Sequence, residues 1–207
     1  MTAAAPLDGS RRERKKLALR ARLLEAATEM FGERGFASTK VSDICERADV
    51  AQKTFFNHFA TKQDVLREVA RAALDRLLVA VEAVRKEERT TSARLARFFA
   101  HVAEETARGG AMQRELVTEL VHTVHAMAEK GEHARRLHAA FDEIVREGLA
   151  AGEITRRHAP ATLTQMILGT YYVLIFDFAN LDDYPLAERA DAAARFLADA
   201  LAPKHGE

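Results

Sequence analysis

A short stretch near the N-terminus groups side chains that could hydrogen-bond to a nucleic acid. Within seven residues it offers two amides, an ammonium, a hydroxyl and an imidazole, from Gln52, Asn57, Lys53, Thr54 and His58. Amides and hydroxyls match the donors and acceptors on base edges, and cations match phosphate oxygens. The stretch is therefore a candidate DNA contact. The alternative is a small helical packing unit that keeps these residues on a solvated surface.

A second group has the types and spacing of metal ligands. Glu119, His122 and His125 recur at three-residue steps, which places them near one another on a helix. Di-metal helical bundles use two Glu-x-x-His copies on separate helices, and this chain has one. A mononuclear site with further ligands stays open as the basis of a helical-bundle metal-dependent enzyme. The chain has no nucleophile elbow and no phosphate loop, so we expect no enzyme and no cofactor.

The composition indicates which elements position these groups. The 207 residues are 48% hydrophobic, enough to bury a core, which excludes a disordered scaffold. Ten Gly and four Pro are too few for the turns of an all-β sandwich or barrel, so long helices are expected. The single cysteine, Cys45, excludes a disulfide framework. Residues 1–10 lack the apolar core of a signal peptide, and we expect a disordered tail on a cytoplasmic protein.

Hydrophobic periodicity predicts an all-α chain of about nine helices. Thr61, with Asp64 three residues later, predicts the cap of the fourth helix, and Ser38 or Thr39 could cap the second. Only three residues separate the second and third helices, so these must cross steeply, as in a helix-turn-helix. The predicted helices cover about residues 11–32, 41–48, 52–59, 61–88, 92–108, 111–127, 132–151, 160–181 and 186–202.

Positive charge gathers at one end of a chain whose formal net charge is zero. Residues 1–60 hold 11 Lys and Arg against 8 Asp and Glu, and the start of the first helix includes Arg12, Lys15 and Lys16. Such a cluster indicates an anionic partner. The alternative is a solvated helix start that keeps the protein soluble.

Residues 163–181 are apolar on nearly every side of a helix. The uninterrupted apolar run is too short for a membrane span, and Gln165, Asp177 and Asn180 interrupt or flank it, so we expect no membrane partner. A helix of this kind needs cover from its own core and from a second subunit. A homodimeric four-helix bundle is predicted, with interface residues Tyr172, Ile175, Phe196, Leu197 and Leu201.

The segment of residues 39–62, TKVSDICERADVAQKTFFNHFATK, strongly resembles the DNA-binding signature of TetR-family transcriptional regulators. Residues 26–31 with Gly35 and Phe36 resemble the first helix of that family and its exit. The resemblance covers about residues 11–70 and implies a homodimer that binds a near-palindromic operator in double-stranded DNA. It also implies a helix-turn-helix domain at residues 11–60 and a larger effector-binding and dimerisation domain at residues 61–207.

The resemblance assigns residues to the DNA interface. The start of the recognition helix would meet bases, Lys62 would reach a phosphate, and the second helix would approach the backbone or groove. The residues so assigned are Gln52, Lys53, Thr54, Phe56, Asn57, His58, Lys62, Thr39, Lys40 and Ser42. Three departures are visible, because Cys45 stands where Ala is usual, Asp49 replaces a common turn Gly, and Phe56 replaces a common Tyr.

The resemblance further implies a repressor that releases DNA when a small molecule enters the second domain. The residues offered for its pocket are Phe98, His101, His122, His125, Met127, Met166 and Tyr171. This aromatic and Met-rich set suits a mainly apolar effector with an aromatic group or an acyl chain. An activator, or a regulator without an effector, is the alternative, and the chain alone identifies neither operator nor effector.

Overall fold

The computed structural model describes residues 11–109, 112–126 and 132–203, and the side chains of residues 12, 120–126 and 132–133 lie outside the described part. The tail predicted at residues 1–10 also lies outside it. The described residues form nine helices and no strand, which confirms the all-α prediction. The helices are α1 Arg11–Arg34, α2 Val41–Arg47, α3 Gln52–Phe56, α4 Lys62–Glu87, α5 Thr91–Arg108, α6 Gln113–Ala126, α7 Glu132–Ala150, α8 Pro160–Asn180 and α9 Leu186–Leu201.

The structure changes the end of the third helix and the cap of the second. The third helix ends at Phe56, and residues 57 and 58 form a turn in which the Asn57 N–H still donates to the Lys53 carbonyl at 3.1 Å. The cap of α2 is Lys40, neither Ser38 nor Thr39; its backbone N–H donates to the Asp43 carboxylate. The predicted Thr61 and Asp64 capping box is present at the start of α4.

The first three helices and residues 62–70 of α4 pack into a small bundle, which we call the head. Its core centres on Phe31, Ile44 and Phe55, all fully buried. The remaining helices form the body, whose core centres on Phe98 and Phe141 with ring centroids 4.8 Å apart. The helix α4 contributes to both cores, through residues 65–70 to the head and through Leu78 and Val81 to the body.

The body helix α8 is long and apolar enough to cross a membrane by length and composition. One side of it is nevertheless packed in the body core, through Leu163, Thr164, Ile167, Leu168, Tyr171, Leu174 and Ile175. A core helix of a globular protein has this composition, and only the opposite side of α8 lacks cover in the single chain.

The turn between α2 and α3 depends on a residue in the left-handed conformation. Asp49 has a φ of 51°, and the next residue, Val50, donates its N–H to the Cys45 carbonyl at 2.9 Å. Asp adopts this region at less cost than most residues. Cys45 is 3% exposed, and burial raises the pKa of its thiol, so it packs as a small apolar group.

Asp49→Ala is expected to lower the free energy of unfolding by about 1 kcal/mol, because Ala lacks a side chain that eases the left-handed conformation. Asp49→Gly is expected to be no less stable than the wild type. Urea unfolding at a fixed protein concentration measures both. Asp183, at a φ of 52° in the turn before α9, is the matched control outside the head. Equal stability of the Asp49→Ala and Asp49→Gly variants would contradict the assignment.

Candidate DNA-binding surface

The outer side of α3 is polar and open to solvent. Gln52, Lys53 and Asn57 are exposed, Thr54 is half-buried, and Phe55 beneath them is fully buried. Phe55 lies 5.7 Å from the Phe59 ring in the head core, which fixes the helix to the head. The apolar side of α3 therefore holds its polar side chains outward on a rigid support.

Phe56 is an exposed aromatic residue within this polar surface. The residue is 53% exposed, and its ring meets the Phe55 ring edge to face, with centroids 5.4 Å apart. A ring held in this way offers an apolar surface to a sugar or a thymine methyl group, and it has no hydroxyl to donate to a phosphate.

The cations of α1 divide into two groups. Lys15 and Lys16 are exposed, and the side chain of Arg12 lies outside the described part. Arg22 donates to the Ala48 carbonyl at the end of α2, and Arg20 donates to the His58 carbonyl at 3.0 Å. These two arginines stabilise the ends of the helix-turn-helix.

Arg20 makes two more contacts with the head. Its guanidinium lies 4.3 Å from the Phe59 ring centroid, and it pairs with Glu68 of α4 at 2.9 Å. Composition alone placed these arginines with the other cations. Arg20 and Arg22 lie one turn or more beyond Lys16 along α1, where they reach the turns that end α3 and α2. This offset from the exposed lysines is the feature of the sequence that marks their structural role.

His58 is half-buried between α1 and the end of α3. Burial lowers the pKa of its imidazole, and the charges of Lys16 and Arg20 lower it further. Its Nδ1 is buried and has no hydrogen-bond partner within the described residues. A protonated ring would bury an N–H donor without an acceptor beside two cations, so the neutral form is favoured.

Lys62 differs from the expectation that it reaches a phosphate. Its Nζ donates to the carbonyls of Phe36 and Thr39 at 2.6 and 2.7 Å and lies 4.2 Å from the Phe36 ring centroid. Burial lowers the pKa of this ammonium. In this structure, Lys62 therefore ties α4 to the loop before α2 instead of projecting outward.

Thr39 differs from the expectation that it approaches DNA together with Lys40 and Ser42. Its side chain is fully buried, and its hydroxyl donates to the Gly35 carbonyl at 2.9 Å, so it is not available to DNA. Lys40 and Ser42 are exposed beside it. The Ser42 hydroxyl donates to Asp43 at 3.1 Å, which keeps this side chain at the start of α2.

The residues offered for an effector pocket are only partly brought together. Phe98 and Tyr171 meet in the body core with ring centroids 5.5 Å apart, and burial raises the pKa of Tyr171. His101 is half-buried on α5. Met166 is 54% exposed on the outer side of α8, which excludes it from the core of this chain. The side chains of His122, His125 and Met127 lie outside the described residues.

Glu119, one of the three possible metal ligands in the sequence, is held by side chains of α4. Its carboxylate accepts a hydrogen bond from Gln63 Nε2 at 2.5 Å and lies 3.3 Å from Arg67 Nε, so it faces α4. Among the described residues, no group of three or more His, Cys, Asp or Glu could hold a metal ion.

The predicted interface residues divide by burial. Tyr172 and Phe196 are 38% and 68% exposed, whereas Ile175, Leu197 and Leu201 are buried in the core of their own chain and cannot meet a partner directly. Hydrophobic periodicity could not tell the buried side of α8 from its exposed side, because this helix is apolar all round. The exposed residues define what we call the apolar face: Met166, Tyr172, Val173 and Phe176 of α8, with Phe196 of α9.

Known proteins resemble this chain in the head and in the overall fold. The family profile described as bacterial regulatory proteins, tetR family, matches residues 23–69. The HTH-type transcriptional repressor KstR2 of Mycobacterium tuberculosis is 41% identical over 56 residues, which are 27% of this chain. That match spans 28% of the length of KstR2.

Two further proteins match over most of the chain. The fatty acid metabolism regulator protein of Bacillus subtilis is 26% identical over 152 residues, 72% of this chain and 77% of that protein. The structure of Thermus thermophilus FadR in complex with lauroyl-CoA has a TM-score of 0.62 and 23% identity, and covers 91% of this chain and 98% of its own. The head signature and the shared fold lead to one conclusion: residues 23–69 match the tetR family of bacterial regulatory proteins, on a chain that has the fold of FadR.

Proposed function

We propose that this protein is a DNA-binding transcriptional repressor that is released from a near-palindromic operator by a small molecule carrying an apolar acyl chain or an aromatic group. The observation that carries the proposal is the exposed polar side of α3, held by a buried aromatic side on a head with exposed cations. KstR2, which matches this head, is named a transcriptional repressor. The protein acts in the cytoplasm, where the DNA is, and it binds without catalysis or a cofactor.

In this proposal α3 enters the major groove. Gln52, at the first turn of α3, pairs with an adenine, and Lys53 approaches a phosphate. Lys15 and Lys16 add phosphate contacts from α1, and Lys40 and Ser42 add contacts from α2. Thr39 and Lys62 act indirectly, by fixing the loop that leads into α2.

The apolar face is the proposed contact between two copies of the chain. Val173 and Phe176 are 58% and 54% exposed. Gly169 lies on the same side of α8, and among the described residues no atom lies within 4 Å of the position that a Cβ would take there. A partner copy that lays its own α8 and α9 on this side completes a four-helix bundle. Two-fold symmetry then presents two recognition helices to two half-sites.

The proposed effector is an acyl-CoA ester. The B. subtilis relative is named a regulator of fatty acid metabolism, and the T. thermophilus neighbour was solved with lauroyl-CoA. The body core beside Tyr171 and Phe98 is apolar and aromatic, as an acyl chain requires. An aromatic effector is the second candidate, and the same aromatic core favours it.

Gln52→Ala is expected to relax the preference at one base pair in each half-site, because a side-chain amide discriminates adenine by about 1–3 kcal/mol. Both half-sites change equally, since the dimer is two-fold. Binding to a library of single-base variants of a selected operator measures the effect. A uniform loss of affinity with intact base preferences would contradict base reading by Gln52.

Two lysines give the control for this measurement. Lys53→Ala should weaken binding to all sequences alike and lower the slope of log affinity against log salt by about one unit. Lys62→Ala should lower stability and leave that slope unchanged, because its ammonium is already held by two carbonyls.

Val173→Asp is expected to convert the dimer into a monomer, because an unpaired carboxylate in an apolar interface costs several kcal/mol. Light scattering at micromolar concentration should show the mass fall by half. Val79→Asp is the matched control, since Val79 is 70% exposed on α4, which is not a helix of the apolar face. A wild type that is already monomeric, or a Val173→Asp variant that stays dimeric, would overturn this interface.

An acyl-CoA of suitable chain length is expected to raise the melting temperature and to release the protein from DNA. Ligand at about 100 times its Kd adds about 2.7 kcal/mol to stability. A series of saturated acyl-CoA esters of rising chain length is the probe, with coenzyme A alone and benzoyl-CoA as controls. A shift with benzoyl-CoA alone would favour the aromatic candidate, and no shift with any acyl chain would contradict the acyl-CoA proposal.

A further inference from the structure

The start of α6 belongs to both parts of the molecule. Met112, just before α6, and Leu116 are 5% and 6% exposed in the core of the head, whereas the adjacent Val117 is 2% exposed in the core of the body. Like α4, α6 therefore connects the two parts. A head held by α4 alone could rotate about the axis of that helix, and a second attachment removes this freedom.

One polar anchor joins α6 to α4. Glu119 lies on the same side of α6 as Leu116, and its side chain is 12% exposed. It accepts from Gln63 Nε2 at 2.5 Å and lies 3.3 Å from Arg67 Nε. A carboxylate with so little access to water depends on these charge-assisted contacts, so it fixes α6 against the first turns of α4.

A second anchor joins α6 to the end of α8. Arg114 Nη1 donates to the Leu181 carbonyl at 2.7 Å, and the guanidinium lies 5.4 Å from the Phe178 ring centroid. The last carbonyls of a helix lack partners within it and carry partial negative charge, so an arginine is favoured there. This helix end follows directly on Phe176 of the apolar face.

We propose that Arg114 and Glu119 are positioning residues through which α6 holds the head at one angle to the apolar face. The inference rests on the proposed dimer and its DNA binding. Residues on the apolar face fix where the partner lies, the two anchors fix where each head lies, and together they set the distance between the two recognition helices. The operator is then read at one half-site spacing, although neither anchor touches DNA.

The distance between the two heads of the full-length dimer tests this inference. Glu25 is exposed on α1, and a spin label attached after Glu25→Cys reports that distance, because the chain's own cysteine is buried. The wild-type background should give one narrow distance distribution. Arg114→Met and Glu119→Gln should each broaden it, and Arg114→Lys should broaden it less because it keeps the charge.

Arg136→Met is the matched control. Arg136 also joins two helices, α7 and α4, by an exposed pair with Asp75 at 3.1 Å, and neither partner of this pair belongs to α6 or α8. Its removal should leave the distribution unchanged. Circular dichroism and light scattering establish that each variant is folded and dimeric, and the conservative Arg114→Lys and Glu119→Gln changes keep the test available if Arg114→Met does not fold.

Selection from a random-sequence duplex library gives a second readout. The wild type should recover inverted half-sites at one spacing, and the anchor variants should recover the same half-sites at several spacings. Unchanged distances and unchanged spacing in both variants would overturn the inference while the dimer stands. A wild type without a signal between labels would overturn the proposed dimer, and this inference with it.

Discussion

The geometry of the head depends on a lysine ammonium that is held by main-chain oxygens. Lys62 Nζ donates to the carbonyls of Phe36 and Thr39, in the loop between α1 and α2. A half-buried cation is costly unless it is fully hydrogen-bonded, and here two carbonyls and an aromatic ring compensate for the lost water. Because Lys62 is also the first residue of α4, this contact sets where α2 begins relative to the helix that leads into the body.

Arginines of α1 complete the same arrangement from the other side. Arg22 reaches the end of α2 and Arg20 reaches the end of α3, so each helix of the helix-turn-helix has a guanidinium at its C-terminal carbonyls. The carbonyls at a helix end need partners, and these long side chains supply them across the bundle. Part of the positive charge at this end of the chain therefore stabilises the head, and only the exposed part is available to an external anion.

Local sequence signals predicted the fold well where they are strong. The nine helices of the described residues agree with the hydrophobic periodicity, and the cap at Thr61 followed from a pattern of two residues that the structure reproduces. Side-chain roles were harder to predict, because they depend on residues far apart in the sequence. Lys62 is 26 and 23 residues from its two carbonyl partners, and Glu119 is 56 residues from Gln63, so no local pattern contains these contacts.

The helix α8 shows why an apolar sequence fixes burial without fixing the partner. Ile175 and Phe176 are adjacent and both apolar, yet one is 7% exposed in the core and the other is 54% exposed on the opposite side. Periodicity cannot separate them, because a helix that is apolar all round has no polar side to mark the outer one. What separates them is the packing of α6, α7 and α9 against α8, a property of the whole fold. An uncovered row that contains Met166, Val173 and Phe176 exposes apolar surface to water, and in the proposed dimer a second copy of the same row covers it across a two-fold axis.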